Sequence, residues 1–414
     1  MRGRYTEGAH AEEWCERRLL ARIHRYTVNR LRAEIEPVPA RELLRFLFEW
    51  QRVAPGARME GPDAVAAAAA QLEGFEAPAG AWETEILPAR IADYEPRWLD
   101  DLCLAGRVAW QRLSARRSDP ERGATPVRST PVVLLARRNA RLWSALGAPP
   151  ETVALSSQAD RVFEALRAHG ASFFDELVDA SGLLRTQVES ALAELVAHGL
   201  VSADSFAGLR ALLVPSERRK PYAGGRRKRR SAAFAMEDAG RWTLARRTAA
   251  QPPGEETVEH VARVLLRRWG VVFWRLLARE ADWLPPWRDL LRCLRRLEAR
   301  GEIRGGRFVA GFSGEQFAQP EAVGLLRETR RRPADQALVS LSAADPLNLV
   351  GLLTPGARLP ALTANRVLYR GGLPVALLAG GEVRFLVPLA PAEEWQARNA
   401  LLRRHVPAAL ADFS

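Results

Sequence analysis

An internal repeat with a period of about 100 residues constrains the fold of this 414-residue chain more than any other feature. Residues 168–174 match residues 268–274, and each segment follows one amphipathic helix and begins another. Further on, residues 192–201 match residues 294–303, with a glycine at the equivalent position. Each copy therefore predicts two helices, a third and longer helix that ends at glycine, and a β-hairpin.

This order of elements is that of a winged helix, a three-helix core followed by a short wing. Gly305 and Gly306 favour the tight turn in the wing of the second repeat. Residues 202–207 predict the wing of the first repeat. Amphipathic helices over residues 12–34 and 40–50, followed by an alanine-rich segment, predict another winged-helix-like unit upstream.

After Pro333 the hydrophobic period changes from that of a helix to about two, which is typical of strands. Gly371-Gly372 and Gly380-Gly381 indicate tight hairpins, and a last helix is predicted over residues 392–404. Together they predict a small antiparallel β-barrel-like module. Its five expected strands are residues 337–341, 348–353, 366–369, 373–378 and 382–387.

The predicted fold class is mainly α with small β, with tandem winged-helix modules followed by a small antiparallel β-barrel-like module. The predicted domains are a winged-helix-like helical domain (1–150), a winged-helix module (151–216), a basic linker (217–250), a winged-helix module (251–332) and the barrel-like module with its C-terminal helix (333–414).

The charge balance favours a polyanionic partner, because 61 basic residues exceed 49 acidic ones and leave a net charge of +12. Only Lys220 and Lys228 are lysines, and the chain is rich in alanine, glycine and proline, so GC-rich codon usage explains part of the arginine content. Eight basic residues without an acid lie between residues 218 and 230. This run indicates either a DNA backbone contact or a solvated tether.

Several classes of protein are excluded by missing motifs. No apolar run reaches the roughly 18 residues of a membrane span, and no secretory signal is expected, so the chain is predicted to be cytoplasmic and nucleoid-associated. Neither lysine lies in a Gly-Lys-Ser/Thr motif, so a P-loop motor is not expected. Cys15, Cys103 and Cys293 are far apart, and the histidines lack metal-ligand spacing, so no metal site is predicted.

The third helix of the second repeat carries the clearest binding signal. Leucines occupy one face of residues 286–300, and arginines project from the opposite face at helical spacing. Such arginines can neutralise phosphates or bind guanine edges, and the alternative is a solvated face paired with Asp289 and Glu298. The equivalent helix of the first repeat carries Glu189 and Glu194, which favour a structural or protein-contacting role.

The predicted nucleic-acid-binding residues lie on this helix, on its wing and in the basic linker. They are Arg288, Arg292, Arg295, Arg296, Arg300, Arg304, Arg307, Arg226, Arg227, Lys228, Arg229 and Arg230. Four tryptophans surround the second repeat, and each either packs in the core or stacks on an unpaired base. They are Trp269, Trp274, Trp283 and Trp287.

Two acids are candidates for a catalytic role. Asp345 lies in an Asp-Pro turn between two predicted strands, and Asp412 stands in the otherwise uncharged C-terminal tail. The alternatives are a structural turn for Asp345 and a solvated carboxylate for Asp412.

Several motifs resemble the C-terminal region of Lhr, the bacterial large helicase-related protein family. They are residues 173–177 (FFDEL), 186–189 (TQVE), 204–210 (DSFAGLR), 304–317 (RGGRFVAGFSGEQF) and 344–349 (ADPLNL), with 23–27 (IHRYT) and 35–38 (IEPV) nearer the N-terminus. The resemblance implies the tandem winged-helix and β-barrel part of a DNA repair helicase, without its ATPase core. No cofactor is then expected in this chain, since ATP and Mg²⁺ belong to that core.

The module order is also similar to that of winged-helix DNA glycosylases of the AlkZ type, which flip a damaged base and hydrolyse its glycosidic bond. Their Gln-x-Gln motif has no counterpart here, because Gln316 and Gln319 are separated by two residues.

Three functions stay open on the sequence. The first is a DNA-binding and assembly module on single-strand or forked DNA, working with a helicase core in cis or in trans and without a membrane partner. The second is a monofunctional glycosylase for uracil or alkylated bases, with Asp412 or Asp345 orienting water. The third is a protein-interaction scaffold, including a homo-oligomer.

Overall fold

Helices and small sheets alternate along the chain in an order that repeats. The computed structural model describes residues 2–5, 8, 10–114, 127–147, 154–213, 236–245, 253–334, 336–404, 406–407 and 410. An N-terminal arm (residues 2–33) consists of β1 (Arg2–Gly3), β2 (Glu13–Trp14) and α1 (Arg17–Ala33), and α2 (Ala40–Trp50) follows it.

The first winged helix (residues 62–136) contains three helical segments and a three-stranded antiparallel sheet. Its elements are α3 (Pro62–Gln71), β3 (Ala77–Pro78), α4 (Ala79–Ala81) continuing through a π turn (Trp82–Ile86) into α5 (Leu87–Arg90), α6 (Pro96–Leu104), β4 (Val108–Gln111) and β5 (Pro131–Ala136). The strand order is β3-β5-β4, so the last strand lies between the other two. A short helix, α7 (Ala140–Ser144), follows.

The second winged helix (residues 157–244) and the third (residues 255–318) repeat this plan. The second contains α8 (Ser157–His169), α9 (Phe174–Ser181), α10 (Arg185–Ala197), β6 (Val201–Ala203), α11 (Phe206–Leu213) and β7 (Trp242–Leu244). The third contains α12 (Glu255–Trp269), β8 (Val271–Val272), a 3-10 turn (Trp274–Arg279), α13 (Trp287–Ala299), β9 (Arg304–Gly306) and β10 (Gln316–Ala318), with strand order β8-β10-β9. The repeat seen in the sequence therefore has a third copy upstream.

Glycines end the third helices as predicted. Gly199 and Gly301 follow α10 and α13 with φ of 66° and 77°, a conformation that glycine adopts without steric cost. On the next strand, a Cβ at Gly305 would collide with the carboxylate of Glu298. A larger residue there would therefore displace this carboxylate from its place between the wing strand and the third helix.

The wing of the second winged helix differs from the prediction. Residues 202–207 do not form a hairpin, because β6 is followed by α11, whose Phe206 is buried and packs edge-to-face on Trp110. The returning strand is β7, which pairs with β6 from Val201–Leu244 to Ala203–Trp242. The basic segment 218–230 lies outside the described residues, and elements of the second winged helix stand on both sides of it in the chain.

The C-terminal module is an open sheet, which corrects the expectation of a barrel. Helix α14 (Pro320–Arg331) leads into it, and its elements are β11 (Leu338–Ser342), β12 (Arg366–Arg370), β13 (Leu373–Ala379), β14 (Glu382–Phe385) and α15 (Pro391–Leu402). The four strands form an antiparallel meander whose two edges do not pair with each other. Residues 348–353 are not a strand, because the Asn348 side chain donates to the carbonyl oxygens of Ala343 and Leu359, both at 3.0 Å, and holds a turn.

Two large hydrophobic cores join the modules. One core combines the first and second winged helices, and the other combines α2, the third winged helix and part of the C-terminal module with a few residues of β5 and α7. Backbone hydrogen bonds of 2.8 Å join Val38 to Phe308 and Ala310 in the third wing, just before α2 begins. Helix α2 therefore packs with the third winged helix, although it precedes the first in the chain.

Buried arginines cross the boundaries between modules. Arg210 of α11 binds Glu83 and Asp100 of the first winged helix at 2.6 and 2.9 Å. Arg366 of β12 binds Glu85, and Arg268 of α12 binds Glu280 and also donates to the Glu73 carbonyl oxygen at 2.5 Å. Guanidinium groups suit such sites, because five fixed donors can serve two modules at once.

Candidate nucleic-acid interface

Helix α13 is the most strongly amphipathic surface near a wing. Leu290, Cys293, Leu294 and Leu297 are buried on one face. The opposite face carries Arg288, Arg292 and Arg295, whose side chains are 78%, 72% and 57% exposed. At about 100° per residue these three arginines fall within about 60° of one another, so they form one stripe along the helix. We call them the recognition stripe.

The other two arginines of α13 are engaged within the same module. Arg296 binds Glu255 at 3.1 Å, and Arg300 binds Glu259 at 3.4 Å, both on α12. The hydrogen bond from Arg263 and the positive charges nearby lower the pKa of Glu259, so this carboxylate stays ionised and holds its partners. The recognition stripe is also paired, because Arg288 and Arg292 lie 3.7 and 3.1 Å from Asp289 and Arg295 binds Glu315. The five arginines predicted as one face therefore differ in partner and in exposure, which is 57–78% for the stripe and 41–52% for Arg296 and Arg300.

The wing beside α13 presents two more of the predicted residues. Arg304 on β9 and Arg307 just after it are both exposed. The wing is held by Gln316, whose buried side chain accepts from the amides of Phe308 and Val309 at 2.9 and 2.7 Å. Gln316 is thus committed to backbone groups and is not available to position a water.

A groove of about 360 Å³ lies between α1 and the C-terminal half of α13. It is lined by His24, Arg25, Val28, Asn29, Arg32, Arg295, Glu298, Ala299 and Glu315. Arg32 binds Glu298 through Nε at 2.8 Å and Glu315 at 3.1 Å, while Arg295 also binds Glu315. Burial raises the pKa of Glu315, but its hydrogen bonds from Arg295 and Arg32 outweigh this and lower it.

The corresponding helices of the other two winged helices lack such a stripe. Helix α6 carries Asp100 and Asp101, and Asp100 binds Arg210. Helix α10 carries Glu189 and Glu194, and Glu194 accepts from the Ser156 amide at 2.8 Å. Of the three helices, α13 is therefore the one with an electrostatic surface that suits phosphates.

The two candidate acids have different placements. Asp345 is buried, and its two carboxylate oxygens accept from Arg90 at 2.6 and 3.1 Å, while Oδ1 also accepts from the Leu347 amide at 2.9 Å. Its ion pair joins the C-terminal module to the first winged helix, which fits the structural interpretation better than the catalytic one. Asp412 lies outside the described residues, as do Arg226, Arg227, Lys228, Arg229 and Arg230.

The four tryptophans near the third winged helix mostly pack inward. Trp269 is fully buried and donates to Glu280 at 2.6 Å, and Trp283 and Trp287 are half-buried. Trp274 is 46% exposed and has a surface on which a base could stack.

The sequence prediction overlooked a second arginine stripe on α1. Arg18, Arg22 and Arg25 are exposed and have the same i, i+4, i+7 spacing as the recognition stripe. The signal was present in the sequence, but α1 belongs to no copy of the repeat and was interpreted as part of a winged-helix core.

Within the described ranges, no group of three or more histidine, cysteine, aspartate and glutamate side chains is arranged to hold a metal ion. In the same part of the chain, every helix is too short or too polar to cross a membrane.

Family models of the large helicase-related protein winged-helix domain match the chain twice. The model of the third such domain matches residues 38–136, and the model of the fourth matches residues 251–338. Two segments of the chain are winged-helix domains of the Lhr type. The resemblance to the Lhr C-terminal region and the tandem winged-helix fold class predicted from the sequence are thereby confirmed.

Two curated bacterial proteins are similar to this Lhr-type chain over nearly its whole length. "Lhr helicase/ probable uracil glycosylase" of Mycolicibacterium smegmatis is 30% identical over 93% of the chain. "Lhr helicase/uracil glycosylase" of Escherichia coli is 28% identical over 95% of the chain. The chain spans only about a quarter of each relative, 26% and 27%.

Proposed function

We propose that this Lhr-type chain binds single-strand or forked DNA through α13 and the wing of the third winged helix. The observation that carries the proposal is the recognition stripe, Arg288, Arg292 and Arg295, which is open to solvent opposite a buried leucine face. Arg304 and Arg307 extend the same charge onto the wing. Because these side chains reach phosphates on any sequence, binding should have a steep salt dependence and little sequence preference.

The chain would serve as the DNA-binding and assembly region of an ATP-dependent DNA repair helicase. Two relatives bear helicase names, and this chain matches about a quarter of their length. In this proposal the helicase core acts in cis or in trans and holds the ATP and Mg²⁺. Nucleoid association would follow from DNA binding.

The basic run at residues 226–230 would add phosphate contacts. The chain leaves the second winged helix after α11 and returns to it at β7, so this run is tethered to one module at both sides. A tethered basic segment raises the local concentration of positive charge near DNA already held by the third winged helix.

The test compares two double variants of one helix with the same loss of charge. Arg288→Gln/Arg292→Gln removes two solvent-facing arginines, and Arg296→Gln/Arg300→Gln removes two that bind α12. We expect the slope of log K against log salt for single-stranded DNA to become shallower by about 1.4 in the first variant and to change less in the second. Equal effects of both variants, or none in the first, would overturn the proposed interface.

A second candidate function is hydrolysis of the glycosidic bond of uracil or an alkylated base in DNA. The names of both relatives include uracil glycosylase, and the module order is similar to that of AlkZ-type glycosylases. The buried side chain of Leu410 lies beside a small cavity that is also lined by Glu83, Thr84 and Arg128. Asp412 follows Leu410 by two residues in the sequence.

This candidate is tested by incubating the pure chain with single-strand oligonucleotides that contain uracil or alkylated bases, without nucleotide or metal. Alkali-labile sites that appear with the wild-type chain and Asp63→Asn, and disappear in Asp412→Asn, would support hydrolysis with Asp412 as the acid. DNA binding without alkali-labile sites would leave the DNA-binding function and reject the glycosylase.

A further inference from the structure

We infer that α1 forms a second wall of the DNA site and that the groove between α1 and α13 takes a single strand. This inference rests on the proposed DNA-binding function. It adds residues of the N-terminal arm that no winged helix contains, namely Arg18, Arg22, Arg25 and Tyr26. The ligand is a single-stranded nucleic acid, with phosphates on the arginines and a base on the tyrosine.

Helix α1 has the charge of a nucleic-acid contact. Its 17 residues contain six arginines and no acidic residue. Of these arginines, Arg30 and Arg32 bind carboxylates. The other four are exposed and form no ion pair with any described residue, and they are Arg17, Arg18, Arg22 and Arg25. An exposed row of unneutralised arginines attracts phosphates, and its burial against DNA releases counterions.

The helix is fixed at one end only, beside α13. Arg32 at its C-terminal end binds Glu298 of α13 and Glu315 of the wing loop, and Val38 then pairs with the wing. None of the residues of α1 is buried. A helix of 17 residues that contributes nothing to either large core presents most of its side chains to solvent.

The C-terminal part of the arginine stripe of α1 faces the groove. Arg18, Arg22, Arg25, Asn29 and Arg32 repeat every three or four residues, so they lie within about 80° on the helix surface. Arg25, Asn29 and Arg32 of this stripe line the groove, as does Arg295 of the recognition stripe. The stripes on the two helices therefore meet at a common groove.

An exposed aromatic residue favours a single strand over a duplex. Tyr26 is 69% exposed and follows Arg22 by four residues, so the two side chains are neighbours on the surface of α1. Ile23, three residues before Tyr26, is 49% exposed. Base stacking on tyrosine needs an unpaired base, since the faces of paired bases are covered by their neighbours. Arginines that hold the backbone beside an aromatic side chain are typical of single-strand sites.

The experiment measures fluorescence anisotropy of labelled oligothymidylate and of a matched duplex across a salt series, with the full chain. We expect Arg18→Gln/Arg22→Gln/Arg25→Gln to make the single-strand salt slope shallower by about 2. Tyr26→Ala should weaken single-strand binding about fivefold or more, and Tyr26→Phe should restore it. The control has an equal loss of charge away from α1 and α13, and it should keep most of the wild-type salt slope for the single strand. This control is Arg138→Gln/Arg141→Gln/Arg167→Gln.

The outcomes separate this inference from the proposed function. No binding of wild-type protein to any DNA would overturn both. Weaker binding of Arg288→Gln/Arg292→Gln, with unchanged binding of the α1 triple variant, would overturn the inference alone. Equal losses on single strand and duplex, with no effect of Tyr26→Ala, would overturn the single-strand assignment. Because α1 has no buried residue, unchanged thermal unfolding of the variants is expected and excludes misfolding as the cause.

Discussion

Single buried arginines fix the arrangement of the modules. Arg90 of the first winged helix is fully buried. It donates to Asp345 of the C-terminal module at 2.6 Å and to Gln51, at the end of α2, at 2.7 Å. One guanidinium therefore joins three parts of the molecule. The sequence pointed to Asp345 because it stands in an Asp-Pro turn, but it could not identify the partner, which is 255 residues away. Arg90 itself was overlooked, because one arginine in an arginine-rich chain gives no signal of burial.

Removing one member of this pair should be costly. Asp345→Ala would leave a buried guanidinium without its counter-charge, so we expect a loss of about 3–5 kcal/mol in the free energy of unfolding. Arg90→Met/Asp345→Leu should lose less than either single variant, because no charge is then left unpaired. Urea denaturation measures both, with the exposed Glu382→Gln as a control. A loss below about 1 kcal/mol in Asp345→Ala would contradict the structural role.

Glu73 should make stability depend on pH in the acid range. Burial opposes its ionisation, but His260, 3.7 Å away, and the hydrogen bonds from Asn139 and Trp143 outweigh this, and the pKa of Glu73 falls below the ordinary 4.5. A lowered pKa in the folded state adds stability above pH 4.5, and this stability is lost as the pH falls through the folded value. The difference in unfolding free energy between wild type and Glu73→Gln should therefore shrink below pH 4.5. A difference that does not change with pH would refute this.

At the scale of elements, local signals predicted most of the fold. Apolar period and two-glycine hairpins predicted α13, β12, β13 and β14 nearly to their observed bounds, and a terminal glycine predicted the end of α10. These signals act between neighbouring residues. The failures were long-range. The wing of the second winged helix closes with β7, about 40 residues after β6, and nothing in residues 202–207 indicates that distant partner.

The third wing should depend on Gln316. Gln316→Ala removes the acceptor for the buried amides of Phe308 and Val309, so we expect a loss of about 1–3 kcal/mol and faster hydrogen exchange at these two amides. Gln319→Ala is the matched control, since its side chain makes no capping hydrogen bond. Unchanged exchange in Gln316→Ala would show that the wing is held by other contacts.

At the scale of the whole molecule, charge is distributed unevenly over modules that share one topology. The net charge of +12 predicted a polyanionic partner, and the structure separates arginines that join modules from those that face solvent. Composition could not make this separation, because it counts Arg90, which is buried, and Arg288, which is exposed, as the same residue type. The solvent-facing arginines of α13, its wing and α1 lie on elements that contact one another.

The salt dependence of DNA binding tests the central claim most directly. Affinity for a single strand would be measured from low to moderate salt for the wild-type chain and for a variant in which Arg288, Arg292 and Arg295 are all glutamine. We expect a steep negative slope of log K against log salt in the wild type, shallower by about 2 in the variant. Binding that is absent or independent of salt in the wild type, or identical slopes in the two proteins, would contradict the account.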